Sequence, residues 1–268
     1  MRYRTPGSQA LNWRKTWFFL EDDIQYVMIS RLESTTSAPV RSVLDQKKHT
    51  GDVYVNGKAV TGSGTKAFTQ ATSLWHAGVG YTFTSAFGLS VKTGYETGSW
   101  GDISTSSKPA TTLDLFSAWI PHDDLGKSVS YAIYPATSSF EEFDSKVSAT
   151  QQNHIEVRND GTVSALLDQA HQTIMIAYWW VDAGAISSVK VADLTVETNG
   201  FAMVIVHLNT GVVAVAESSQ KMTSVTLKFT LASNAKIPVG WTGTSRVKSF
   251  DVKLPTGGEA GKTVFLQL

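Results

Sequence analysis

The sequence predicts an all-β protein of two stacked sandwich-like modules, and three observations carry that prediction. Short runs rich in valine, isoleucine, threonine and aromatic residues recur along the whole chain. Turn-forming residues punctuate them at spacings of roughly 8–12 residues, as in sandwiches and barrels. A helical period is hard to find, and one short segment, residues 139–146, fits it.

Taken in order, Trp17-Phe18-Phe19-Leu20 forms a strand that stops at the acidic Glu21-Asp22-Asp23, and residues 24–29 form the next. Gly51-Asp52-Val53-Tyr54-Val55 runs into Asn56-Gly57, a hairpin signal because both residues tolerate positive φ. Residues 79–83 and 128–134 alternate apolar and polar, which predicts one face on a core and one on solvent. Ser139 is placed to N-cap the short helix, with Glu142 completing a capping box. Beyond it, Ile155-Glu156-Val157-Arg158 leads into the turn Asn159-Asp160-Gly161. Further strands are expected at 162–167, 173–181, 189–196, 203–208, 212–217, 224–231, 247–254 and 262–268. The polar stretch 148–153 is the natural boundary, giving modules over 1–148 and 152–268.

Composition narrows the function. The 268 residues are 42% hydrophobic, enough for a sizeable core. Basic and acidic residues number 23 each, so the chain lacks the positive excess that nucleic-acid binding uses. Without cysteine, disulfides and thiolate metal sites are excluded. Apolar stretches such as 174–181 are too short to span a bilayer as a helix. The first seven residues lack the apolar core of a signal peptide, and no N-glycosylation sequon occurs. A soluble, cytoplasmic protein is expected, or a secreted one if a leader has been removed.

Eight tryptophans and eight tyrosines raise the question of carbohydrate. Sugar rings present C–H faces that pack on indole and phenol rings while neighbouring polar groups take the hydroxyls. The candidate binding residues are Trp75, His76, Tyr95, Trp100 and Trp119, with Tyr81 beside them. Trp100 stands in the glycine-flanked turn Gly98-Ser99-Trp100-Gly101-Asp102, where a large ring has little to bury it. The competing expectation is that such aromatics fill the cores. His122-Asp123-Asp124 lacks the spacing of a metal site and reads as a turn. Gly62-Ser63-Gly64-Thr65 lacks the strand-to-helix setting of a phosphate loop. Glu141 and Glu142 are neighbours on a helix and face different ways, unlike the carboxylates of a glycosidase. No catalytic residue, metal site or cofactor is expected.

Several segments, in order, resemble polysaccharide lyase family 8, the hyaluronate, chondroitin and xanthan lyases. Arg14-Lys15-Thr16-Trp17-Phe18-Phe19-Leu20-Glu21-Asp22-Asp23-Ile24 is similar to a strand pair of that family's central β-domain. Val43-Leu44-Asp45-Gln46 follows, with Lys47 where the family carries arginine. Trp75-His76-Ala77-Gly78-Val79-Gly80-Tyr81-Thr82-Phe83 and Thr97-Gly98-Ser99-Trp100-Gly101-Asp102-Ile103 resemble two further motifs. Leu115–His122 and Val129–Pro135 match the sheet that follows, and Ile155–Asn159 the start of the C-terminal β-domain.

The resemblance implies an antiparallel β super-sandwich followed by a smaller C-terminal β-sandwich. It also implies β-elimination at a uronic acid by an Asn, a His, a Tyr and an Arg of an N-terminal helical toroid. This chain is expected to begin after that toroid, so none of those residues carries over. His76 and Tyr81 belong to a sheet motif and take no acid–base role. Three functions follow as expectations: a non-catalytic, lectin-like module that binds a glycan or a protein partner; the β-portion of a larger lyase; or a structural protein that forms homo-oligomers through sheet edges.

Overall fold

Three antiparallel sheets account for the strands of the described residues. The structure is a computed structural model and describes residues 1–179 and 185–268. The last two residues of the strand expected at 173–181, Trp180 and Val181, lie outside the described residues.

The first sheet takes ten strands: β1 (Arg2–Arg4), β2 (Leu11–Phe19), β3 (Gln25–Ser34), β4 (Arg41–Lys48), β5 (Val53–Val55), β6 (Lys58–Ala59), β7 (Gly64–His76), β8 (Val79–Gly98), β9 (Thr111–Pro121) and β10 (Val129–Tyr134). Its main path runs β1-β2-β3-β10-β8-β7-β5-β6, and β9 pairs with β8 and β4. Asn56 (φ 51°) and Gly57 (φ 74°) make the two-residue turn between β5 and β6. The twenty-residue β8 is the device that closes the fold. Tyr81–Phe83 pair with β10, whereas Ser90–Gly98 pair with β9, so one strand passes from one layer into the other. Register shifts in β7 between Phe68 and Ser73 accompany the passage. The layers enclose a first core that includes Val27, Leu74, Phe83, Val91, Phe116 and Tyr131.

Helix α1 (Phe140–Thr150) follows. Ser139 caps it by accepting from the Glu142 amide at 3.2 Å. The Glu142 carboxylate reaches back to Ser138, taking its amide at 2.7 Å and its hydroxyl.

The remaining strands are β11 (His154–Asn159), β12 (Val163–Asp168), β13 (Thr173–Tyr178), β14 (Ser187–Val191), β15 (Leu194–Thr198), β16 (Met203–His207), β17 (Val212–Ala216), β18 (Ser224–Leu231), β19 (Val247–Lys253) and β20 (Val264–Gln267). They form a six-stranded sheet, β11-β12-β13-β16-β17-β20, and a four-stranded one, β14-β15-β18-β19. Alternate residues of both inner faces meet in a second core: Ile174, Ile176, Val204 and Val213 against Val189, Val196, Leu227 and Phe229.

Two expectations are corrected. The strand expected at 189–196 is a hairpin, β14–β15, because Ala192 adopts φ 49° and the chain reverses there. The segments 79–83 and 128–134 do not show one face to solvent; both faces of β10 are largely buried. The covering layer is a third core between the first sheet and the six-stranded sheet, where Tyr134 and Ala132 meet Phe143 of α1 and Leu166 and Met175 of the six-stranded sheet.

Candidate functional site

Folding separates the aromatic residues that lie close in sequence. Trp75 of β7 is buried, packs edge-on against Tyr54, and donates its indole N–H to Thr137 Oγ1 at 2.9 Å. His76 points to the other side of β7, where its ring lies 4.2 Å from that of Phe116. Its Nδ1 donates to the Asp52 carbonyl at 3.2 Å, and its Nε2 is buried without a partner. Burial lowers the His76 pKa below the usual histidine value; the Asp52 carbonyl opposes this and Lys47 adds to it. Tyr81 is buried with its hydroxyl on the Leu44 carbonyl at 3.0 Å. These three side chains spend their packing surface, and most of their polar capacity, inside the protein. Trp119 is half-buried on β9, with the Arg41 guanidinium 5.1 Å above its ring.

Tyr95 and Trp100 remain on the surface, at the same end of the β8–β9 ribbon. Tyr95, 78% exposed, stands opposite Asp114 across the strand pair. It lines a cleft of about 360 Å³ with His49, Asp52, Ser63, Thr93 and Asp114. His49 donates from Nδ1 to Asp114 Oδ2 at 3.2 Å, while Asp114 Oδ1 lies buried without a hydrogen-bond partner. The cleft sets an aromatic face beside the Asp52 and Asp114 carboxylates, a combination suited to hydroxyl donors.

Trp100 sits in a short 3₁₀ turn beyond β8. Ser99 caps the turn by accepting from the Gly101 amide at 3.1 Å, and Ser104 closes it by donating to the Trp100 carbonyl at 2.7 Å. The indole residue is 60% exposed and lines a shallow groove with Ile103, Leu113 and Leu115. Unlike the Tyr95 cleft, this groove offers mainly apolar surface.

Sequence reasoning missed one further feature. A groove of about 400 Å³ along β1, β2 and β3 is lined by Arg2, Arg4, Arg14 and Arg31, with Glu33 and the stacked pair Tyr3 and Trp13. The signal is present in the sequence, since Arg2 and Arg4 two residues apart share a strand face, but the first strand expected begins at Trp17, so neither β1 nor the first half of β2 is anticipated. Among the described residues, no group of three or more His, Cys, Asp or Glu is arranged to hold a metal ion. No described helix is long and apolar enough to cross a membrane.

Comparison with known proteins bears on this geometry. Residues 1–147 match the family model described as polysaccharide lyase family 8, super-sandwich domain. Chondroitinase-AC of Pedobacter heparinus is 27% identical over 266 residues, which is 96% of this chain and 35% of that protein. Xanthan lyase of Bacillus sp. (strain GL1) is 29% identical over 153 residues, 50% of this chain and 16% of that protein. The chain thus spans about a third or less of the curated relatives it matches. A solved structure of chondroitinase AC lyase, from work on enzyme–oligosaccharide complexes, covers 99% of this chain with a TM-score of 0.83. The match takes in 37% of that chain at 21% identity, a likeness of fold.

Proposed function

The chain belongs to polysaccharide lyase family 8, and on that footing we propose that it is a carbohydrate-binding β-module whose own residues break no glycosidic bond. The observation that carries this reading is the exposure of Tyr95 and Trp100 at one end of a single ribbon, when Trp75, His76 and Tyr81 are buried. Tyr95 offers a ring face beside the acceptors of Asp52 and Asp114. Trp100 offers a second platform with Ile103 and Leu113. Trp119 keeps a lesser part, because Arg41 covers one side of its ring. The ligand class follows from the names of the relatives, a chondroitin- or xanthan-like polysaccharide. The same reading divides the chain at the helix, with modules over 1–148 and 152–268, supported by the grouping of strands into sheets.

A glycan array followed by calorimetry tests the binding. Tyr95→Ala and Trp100→Ala should each weaken it about tenfold, the usual effect of removing an aromatic platform. Absence of binding to any acidic or neutral polysaccharide removes the reading. Assays for the absorbance of unsaturated products should stay flat, and turnover would overturn the non-catalytic part.

A second reading is favoured by the alignment of 96% of this chain with 35% of Chondroitinase-AC: these residues are the β-portion of a longer lyase that works by β-elimination, and the same surfaces guide its polymer. Sizing the protein from its native source decides between the two, since a species longer than 268 residues favours the second.

A further inference from the structure

The arginine groove along β1–β3 has a charge arrangement that the fold alone does not explain. Arg2 and Arg14 are directly opposed across the β1–β2 pair, an arrangement that repels. Arg14 is 4% exposed, and its Nη1 has no hydrogen-bond partner. Arg31 stands at a bulge where it and Leu32 face the single residue Trp13, with Arg31 at φ 50°. Bulges of this kind re-aim a side chain, and Arg31 lines the same groove. Among the described lining residues one carboxylate, Glu33, stands in the groove, held by Arg31 at 3.3 Å, while Asp160 acts on Arg14 through its charge from farther along the chain. A buried, incompletely paired cation among like charges opposes folding.

We propose that this groove is a binding site for a tetrahedral or planar oxyanion, the sulfate or carboxylate group carried by an acidic polysaccharide. Arg14 forms its floor and offers a guanidinium donor that the protein leaves unused. Arg4 and Arg31 are exposed and close over the anion from the rim. Guanidinium forks match both oxyanions in a bidentate manner, and the weak hydration of arginine lowers the cost of burying the pair. The site is separate from the Tyr95 cleft. That cleft is rich in carboxylates and suits hydroxyls, so the two surfaces divide a charged sugar chemically.

Calorimetry and the arginine Nε–H signals in NMR, recorded with sodium sulfate, test the site without any assumption about glycans. Saturable sulfate binding and selective shifts of Arg14 are expected. Arg31→Gln and Arg4→Gln, both at exposed positions, should each weaken sulfate about fivefold or more. Arg14→Met should abolish sulfate binding, and the two rim variants decide the matter if it does not fold. Chondroitin sulfate and desulfated chondroitin oligosaccharides then identify the source of the anion. Competition by the sulfated chain alone assigns sulfate, competition by both assigns the uronate carboxylate, and competition by neither assigns a free inorganic anion. Tyr95→Ala should leave the sulfate response intact, so failure of the glycan reading is distinguishable from failure of this one. No saturable response to sulfate or to either oligosaccharide, or a response unchanged in both rim variants, overturns the proposal.

Discussion

Phe143 of α1 lies directly on Gly80 of β8: a methyl group built at Gly80 would fall 2.2 Å from ring carbons Cδ2 and Cε2. The ring is 2% exposed and meets Tyr134 edge-on at 5.6 Å. Gly80 is therefore needed for close approach and not for an unusual backbone angle. Gly80→Ala should destabilise the protein by about 1–3 kcal/mol through overpacking. Phe143→Ala should cost about 3–5 kcal/mol. In urea unfolding the double variant should lose less than the sum, because the clash disappears with the ring. Strict additivity would show that the two residues are not coupled.

The glycines Gly211 and Gly240 bring backbone against backbone. A methyl group at Gly240 would lie 1.9 Å from the Gly211 nitrogen, and one at Gly211 would lie 1.9 Å from the Gly240 carbonyl oxygen. Gly211 also adopts φ 74°. No side chain can swing away here, so Gly240→Ala should cost at least about 3 kcal/mol, the upper range for overpacking. Thermal unfolding of the variant checks this, and a near-native midpoint would contradict the backbone approach.

Asn159 ties the end of β11 to the first sheet. Its amide nitrogen donates to Ser130 Oγ at 3.0 Å and lies 3.3 Å from the carbonyls of Ile29 and Val129. Asn159→Asp would set a carboxylate against these acceptors and should destabilise by about 3 kcal/mol. Asn159→Ala should cost about 1–2 kcal/mol. Equal losses in the two variants, read from denaturant midpoints, would argue against the donor role.

Stability should fall as the solution is acidified, in two stages. Burial lowers the pKa values of His76, His122 and His154, so the folded state binds fewer protons at these sites than the unfolded chain. Their contribution is complete above the ordinary histidine value of about 6.5 and is lost as pH falls through the depressed folded values. His171 acts in the opposite direction, since its hydrogen bond to Asp168 raises its pKa. The three depressed sites set the expected direction, and the melting temperature should decline from pH 7 to pH 5. His154→Gln should flatten that slope.

The second stage belongs to carboxylates with lowered pKa values, Asp160 together with Glu142 and Glu217. Burial alone would raise the Asp160 pKa, but hydrogen bonds from the Thr162 hydroxyl and amide, from Arg158 and from the Val163 amide bring it down to about 2. A depressed carboxylate stabilises above its unfolded value of about 4 and loses that contribution as pH falls towards about 2. Asp160→Asn should reduce this acid limb, with the Glu142 and Glu217 contributions remaining, and leave the histidine stage unchanged.

Local chemistry made part of this architecture legible in the sequence. Asn56-Gly57 and the Ser139 cap announce themselves because their conformations depend on residues a few positions away. The double burial of β10 was not legible, because the layer over its second face comes from Phe143, Leu166 and Met175 far along the chain. The candidate site divides in the same way. The exposure of Trp100 followed from its glycine-flanked turn. The burial of Trp75 and His76 followed from strand partners that no local pattern names. The burial of Arg14 was not legible because a charged residue within a strand ordinarily faces water, whereas this one is buried at the bottom of a groove.

The path of the first sheet also bears on biosynthesis. Strand β3 hydrogen-bonds to β2 on one side and to β10 on the other. A ribosome releases β1–β3 early, yet β10 starts at Val129, after the whole β4–β9 segment has been made. Until then the apolar Val27-Met28-Ile29 edge has no partner and stays open to strands of neighbouring nascent chains. Yield in a heterologous host should therefore depend on translation speed through β4–β9 and on chaperones that shield that edge, more than on the stability of the finished fold.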